Sequence, residues 1–418
     1  MLVDFVLTGY YLKEGDVIRL NVELVEAQSN ELVWRELIQD KYENAFKLQD
    51  MVSAEVPRGL KVQFSDNERD RMRADVPDNP LAYEYYLRAV SYPITLENDK
   101  YAIEMLEKSI ALDSRYAPAY VELGFRLDDL ATESMLGIEE QRKAEEAFRK
   151  ALSVNENLLT ALWQLSFHCT NVGRSEEASE LIDRMFRVAP DNAMTHYALG
   201  YLYRYTGMLE ESEQEVERAL ALDPRNPRFR SAGFTYVYRG EYRKAHEVFQ
   251  LDRDGTLGIA WKGMTLYLMG EKEEAVKYLD RAAALEPESF IGLRHAGIST
   301  FIKGNTEEAL RIIRKLEKLK SSQGDSEHWY LLGNAYGLLG DSASCVRALR
   351  KAVEGGFFSY PCFLKDPLLN SVRDNAEFQR VLALAKEKCE AFKKRAFRLS
   401  DRTLTMTEAK RRNVMIRQ

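Results

Sequence analysis

Residues 196–212 read HYALGYLYRYTGMLEES, with Gly200 and Gly207 seven positions apart. In a helix of 3.6 residues per turn that spacing puts both glycines on one side, two turns apart. The first has no side chain to keep a neighbouring helix away. The second stands where the helix must stop and a left-handed residue costs little. Five residues beyond Gly207 comes the small Ser212. The arrangement repeats at Gly233/Gly240, Gly263/Gly270, Gly297/Gly304 and Gly333/Gly340. Counted from Gly173, the second glycines follow at intervals of 34, 33, 30, 34 and 36 residues. The small residue recurs as Ala178, Ala245, Ala275, Ala309 and Cys345. Large residues stand four before the first glycine, at Phe229, Ile259, Leu293 and Trp329, with His196 the polar exception. Pro190, Pro224 and Pro287 follow the second helices, where a proline ends a helix without removing a needed donor. Each unit therefore reads helix, tight turn, helix, stop.

Upstream the pattern stretches. Tyr120, Leu123 and Gly124 belong to a first helix, and Ala144, Phe148 and Ala151 to its partner, with Ala131 to Gln141 inserted as a loop or helical extension. An earlier unit starts near Leu81, with Tyr85, Tyr86 and Ala89, and continues through Ala102, Leu106 and Leu112. About eight units result, well above the roughly three needed to bury a continuous core. Over residues 81–356 the chain resembles the tetratricopeptide repeat family, because these positions recur together. The resemblance implies a mainly α fold, a right-handed α-solenoid of helical hairpins. The stretch Gly355 to Phe378, with Phe357, Tyr360, Pro361, Phe363, Asp366 and Leu369, resembles the closing segment after such repeats in bacterial multidomain regulators. Residues 357–395 are accordingly expected to cap the array and 396–418 to form a basic tail.

The first 66 residues differ in kind. Val6 to Tyr11, Val17 to Val25 and Glu31 to Leu37 are rich in β-branched and apolar residues, with turn signals at Glu14-Gly15-Asp16 and Ser29-Asn30. They predict a three-stranded meander. From Ala45 to Leu60 the period becomes helical, until Pro57 ends or kinks the helix. The order resembles the end of a TolB-like or FlgO-like α/β domain, on Val6-Leu7-Thr8-Gly9, Arg19, Leu24-Val25-Glu26-Ala27, Trp34 and Leu48-Gln49-Asp50. Residues 67–80 read as a linker. The resemblance implies an incomplete sheet whose open edge could pair with a second copy. It also implies the alternative that the repeats are the sensing part of a signalling protein carrying a cyclase, kinase or winged-helix effector elsewhere.

Composition supports a large folded core: 418 residues, 45% hydrophobic and 30% charged, with net charge −7. No run of about 18 apolar residues occurs, so no membrane span is expected, and the chain reads as cytoplasmic, with a periplasmic portion of an anchored relative as the alternative. From Lys386 to Gln418 eleven basic residues face four acidic ones, a solvated extension with only Phe392 and Phe397 to stack on bases. Nucleic acid is not an expected partner. Four scattered cysteines form no disulfide framework or CxxC pair, and five histidines show no metal-ligand spacing. His168 beside Cys169 is a poor nucleophile pair, since helix neighbours do not face each other. Without a P-loop, GxGxxG, GxSxG or HExxH motif, neither enzyme activity nor a cofactor is expected.

What remains is a binding surface. In tetratricopeptide arrays the first helices line the concave side, and register places there Trp163, Phe167, Tyr197, Tyr201, Tyr205, Phe234, Tyr238, Met264, Tyr267, Phe301, Tyr330 and Asn334. Such a wall combines aromatic area with polar handles, the composition of binding hot spots. The expected function is a non-enzymatic scaffold that holds a protein or peptide in this groove.

Overall fold

In the computed structural model, residues 5–27, 29–41, 76–133, 138–319 and 325–415 are described, side chains as far as Arg395. Two compact units emerge, residues 1–126 with 150–158 and residues 127–149 with 159–418.

The first unit opens with the expected meander, β1 (Phe5–Glu14), β2 (Val17–Glu26) and β3 (Leu32–Lys41), antiparallel in the order β1-β2-β3. Gly15 and Asn30, both at φ 58°, make the two turns. Phe5 pairs with Glu26 and Glu14 with Val17, while a bulge at Leu24/Val25 shifts the β2–β3 register. Ile18, Val22, Leu24 and Ile38 are buried, whereas Tyr10 and Tyr11 on edge strand β1 are exposed. The helix expected over Ala45 to Leu60 lies outside the described residues.

Two helices follow in the same unit, α1 (Pro80–Ser91) and α2 (Leu96–Leu112). Asn79 caps the first by accepting from Leu81 N, and Thr95 caps the second by accepting from Asn98 N. Their contact is built on Ala89, Ala102 and Leu106 with Tyr116, just before the next helix, and Ala119 within it. At its centre the Arg126 guanidinium, 2% exposed in its side chain, donates to Asp99 at 2.8 Å and Glu122 at 2.9 Å. Its three remaining donors reach the carbonyls of Ala89, Tyr92 and Pro93, so all five N–H groups of the buried cation have an acceptor.

α3 (Ala117–Glu133) and α4 (Ile138–Val154) are divided between the units. The stretch 131–141 is thus helical extension on both sides of residues 134–137, which lie outside the described set.

The second unit is a solenoid of hairpins. They are α5 (Leu159–Asn171) with α6 (Ser175–Val188), and α7 (Ala193–Thr206) with α8 (Leu209–Leu222). Next come a 3-10 turn (Pro227–Ala232) running into α9 (Gly233–Arg239) with α10 (Tyr242–Val248), then α11 (Thr256–Leu268) with α12 (Lys272–Leu285). α13 (Phe290–Ile302) with α14 (Thr306–Leu319) and α15 (Ser326–Leu338) with α16 (Ser342–Gly355) complete the array. Glycine spacing predicts the chain reversals. Gly173, Gly207, Gly240, Gly270, Gly304 and Gly340 all have φ between 79° and 92°. A Cβ on Gly200, Gly263, Gly297 or Gly333 would meet Val216, Leu279, Ile313 or Leu349 of the second helix within 3.0 Å, and one on Gly233 would meet Phe249 just after α10. Facing them, Ala178, Ser212, Ala245, Ala275, Ala309 and Cys345 are fully buried. The hydroxyl of Ser212 donates to Gly200 O at 2.7 Å, so this polar member of the set is satisfied.

After the array come α17 (Tyr360–Lys365), a 3-10 turn (Pro367–Val372) and α18 (Ala376–Met415). Phe363, Leu369 and Phe378 are fully buried, as a cap requires. α18 runs on through residue 396, so the expected boundary between cap and tail is not a break in the helix. Among the described residues no helix is long and apolar enough to cross a membrane.

Candidate functional site on the concave wall

Positions three or four apart on a helix share a face. That places Trp163 and Phe167 of α5, Tyr197, Tyr201 and Tyr205 of α7, and Phe234 and Tyr238 of α9 in one row. Phe167 stacks on Tyr201 at 4.0 Å between ring centres, Tyr201 on Tyr205 at 4.9 Å, and Trp163 meets Phe167 edge-on at 5.4 Å. Further along, Tyr238 meets Tyr330 edge-on at 5.5 Å. Trp163, Phe167, Tyr201 and Tyr205 are thus in successive ring contact, as are Tyr238 and Tyr330.

Their exposure differs from the expectation of an open wall. Trp163, Tyr197, Tyr201, Tyr205, Phe234, Tyr238, Met264, Tyr330 and Asn334 are buried, and Phe167, Tyr267 and Phe301 are half-buried. The physical reason is the chain's own segment Gly355–Phe363. Its Phe357, fully buried, sits against Tyr205 at 5.2 Å, Tyr238 at 5.7 Å and Tyr330 at 4.9 Å. Phe358 N donates to Tyr205 O at 3.0 Å. Gly356, at φ 117°, passes so close to Gly173 that a Cβ there would lie 2.1 Å from Gly173 Cα.

The start of α15 adds polar cover to Arg204, Tyr205 and Tyr238, while Tyr197 packs on Phe229 and Phe234 on Trp261. Glu327 accepts from Arg204 at 2.9 Å and from the Tyr238 hydroxyl at 2.8 Å, and Asp325 accepts from the Tyr205 hydroxyl at 2.8 Å. Tyr201 donates to Asn171 at 2.7 Å. The Arg204 guanidinium lies 4.4 Å from the Tyr201 ring centre and 5.1 Å from that of Phe234. Burial lowers its proton affinity, but Glu327 more than offsets this and the pKa is raised. Burial raises the hydroxyl pKa of Tyr201, Tyr205, Tyr238 and Tyr330 as well. Asp325 and Glu327 escaped the sequence reading because acids at a helix start signal an N-cap, and Asp325 is one, accepting from Glu327 N at 2.8 Å.

A small hollow remains beside these buried residues. A cavity of about 470 Å³, solvent space included, is lined by Tyr238 of α9, Trp261, Met264 and Leu268 of α11, Tyr330 and Asn334 of α15, and Asp366 after α17. Four of these, Tyr238, Met264, Tyr330 and Asn334, are predicted wall residues. The Tyr330 hydroxyl and Asn334 Nδ2 donate to Asp366 Oδ2, the latter at 3.4 Å, and the Cys362 thiol donates to Tyr330 at 3.0 Å. Behind them the fully buried Arg294 donates to Asn334 Oδ1 at 2.9 Å and Leu331 O at 3.0 Å. Burial pushes the Asp366 carboxyl up and the Arg294 guanidinium down to about 10. An apolar, aromatic hollow with a few fixed polar groups is the usual form of a small binding site.

His168 and Cys169 do not act together. Asp128 at 3.0 Å and Glu145 at 3.4 Å hold the imidazole, and burial pushes the Cys169 thiol up to about 12, which makes it inert.

Family models described as tetratricopeptide repeat match residues 193–226, 259–289 and 327–354. Residues 1–55 match the second domain of HilA/YgeH-like transcriptional regulators, where the sequence resembled a TolB-like module. No curated protein matches. Among solved structures, the chain is similar to the APC/C hetero-tetramer Cut9–Hcn1 at 16% identity, covering 74% of this chain and 76% of that one, with a TM-score of 0.43. A tetratricopeptide repeat protein of Parabacteroides merdae is 13% identical over 74% of this chain and all of its own, with a TM-score of 0.30. PilW, a type IV pilus biogenesis factor, is 17% identical over 51% and 97%, at 0.37. Residues 193–226, 259–289 and 327–354 therefore carry tetratricopeptide repeats, each built around one of the left-handed glycines Gly207, Gly270 and Gly340.

Proposed function

We propose that the chain is a non-catalytic scaffold that holds a protein partner on the concave wall, with one bulky side chain of the partner seated in the cavity between α9, α11 and α15. The observation that carries this reading is the cavity itself. The chain's own segment fills the neighbouring wall and leaves a small hollow, about 50 Å³ with open solvent excluded, edged by Trp261, Leu268 and Asn334. Aromatic and aliphatic walls suit an apolar anchor. The reading as a regulatory part serving a distant effector is less favoured, because only the match over residues 1–55 speaks for it.

Leu268→Trp fills the hollow from its half-buried rim. Affinity capture from the native cell, quantified for wild type and variant with matched thermal melting, is expected to lose the principal partner. Equal capture by both proteins removes the cavity from the argument.

A further inference from the structure

A second surface lies outside the concave wall. The helices α14 and α16 carry seven cations (Arg311, Arg314, Lys315, Lys318, Arg347, Arg350 and Lys351) against four carboxylates, in a chain of net charge −7. Between them is a hollow of about 870 Å³, solvent space included, with Arg314, Lys318, Arg347 and Lys351 in its lining and Glu317 its one acid. Its floor is Trp329 of α15, 4% exposed, with Lys351 Nζ 4.0 Å from the ring centre. Arg314 and Lys318 also line an adjoining hollow along α14 with Arg311, Lys315 and the acids Glu307 and Glu308, so the surface continues as a strip in which cations outnumber acids. Five of the seven are paired within the chain: Arg311 with Glu308 at 2.7 Å, Arg314 with Asp341 at 3.0 Å, Lys315 with Glu288 at 3.0 Å, Arg347 with Glu317 at 3.1 Å and Arg350 with Glu377 at 3.0 Å. Lys318 and Lys351 form no ion pair among the described residues.

We propose that this strip docks an extended acidic segment of a partner protein, its carboxylates meeting Lys318 and Lys351 above Trp329. Charge complementarity selects the partner class. A single ring, already covered by Lys351, is no stacking platform for bases, which separates this surface from a nucleic-acid groove. The strip is independent of the cavity on the concave wall.

The test is fluorescence anisotropy of the full chain with a labelled deca-glutamate peptide at low and high salt. The expected result is salt-sensitive binding that falls roughly ten-fold or more in Lys318→Glu/Lys351→Glu, while Lys277→Glu on α12 binds as wild type. The neutral pair Lys318→Gln/Lys351→Gln, folded by circular dichroism, falls in the same direction. The proposal is overturned if the peptide does not bind wild type, if the two variant classes bind equally, or if a single-stranded RNA of equal charge binds more tightly than the peptide.

Discussion

Gly356→Ala tests whether the closing segment is held on the wall by its backbone. At Gly270, φ is 92° and nothing lies within 4 Å of an added Cβ, so alanine there costs only the left-handed strain, about 1–2 kcal/mol. At Gly356, φ is 117° and the new Cβ would lie 2.1 Å from Gly173 Cα and 2.9 Å from Gly173 N. Backbone cannot yield as a side-chain tip can, so the segment must lift. Lifting withdraws Phe357 from Tyr205, Tyr238 and Tyr330, a loss comparable to deleting a buried phenylalanine, about 3–5 kcal/mol. Gly356→Ala is therefore expected to cost about 4 kcal/mol or more and Gly270→Ala about 1–2. Urea unfolding followed by far-ultraviolet circular dichroism measures both, with slopes compared because repeat arrays can lose cooperativity. Costs within about 1 kcal/mol of each other would refute the reasoning.

Two further predictions concern buried charge. Burial pulls the His168 imidazole down, but Asp128 and Glu145 more than offset it, and its pKa is raised to about 9. Because the folded value is the higher one, the stabilisation is complete below the unfolded value near 6.5 and fades as pH rises through 9. Wild type is expected to lose up to about 3 kcal/mol over that window, and His168→Gln, which cannot titrate, to show a flatter profile in chemical unfolding; equal slopes would disprove the assignment. Glu327→Ala leaves the Arg204 guanidinium, 1% exposed, without its carboxylate and is expected to cost about 3–5 kcal/mol. The pair Arg204→Met/Glu327→Leu recovers most of that loss; no recovery by urea unfolding would locate the cost in packing instead.

The repeat architecture was legible along the chain because its causes are local. A glycine that must adopt positive φ, a small residue at a helix crossing and a proline after a helix each leave a mark at a fixed offset, and Gly207, Ser212 and Pro224 could be placed from spacing alone. The meander at residues 5–41 was legible for the same reason, since alternation and turn residues act over a few positions. Which aromatic residues share a face also followed from helical period, and Phe167, Tyr201 and Tyr205 do stack in line.

What covers that face was decided only in three dimensions. Phe357 lies more than a hundred residues from Tyr205, and Glu327 reaches Arg204 across a separation of 123 residues. Period determines a direction for each side chain but says nothing about which distant segment arrives there. The chain end returning through the wall, the hollow it leaves beside Trp261, and the basic strip over Trp329 all depend on the rotation accumulated from hairpin to hairpin. That rotation is a sum of many small packing angles, and no single residue records it.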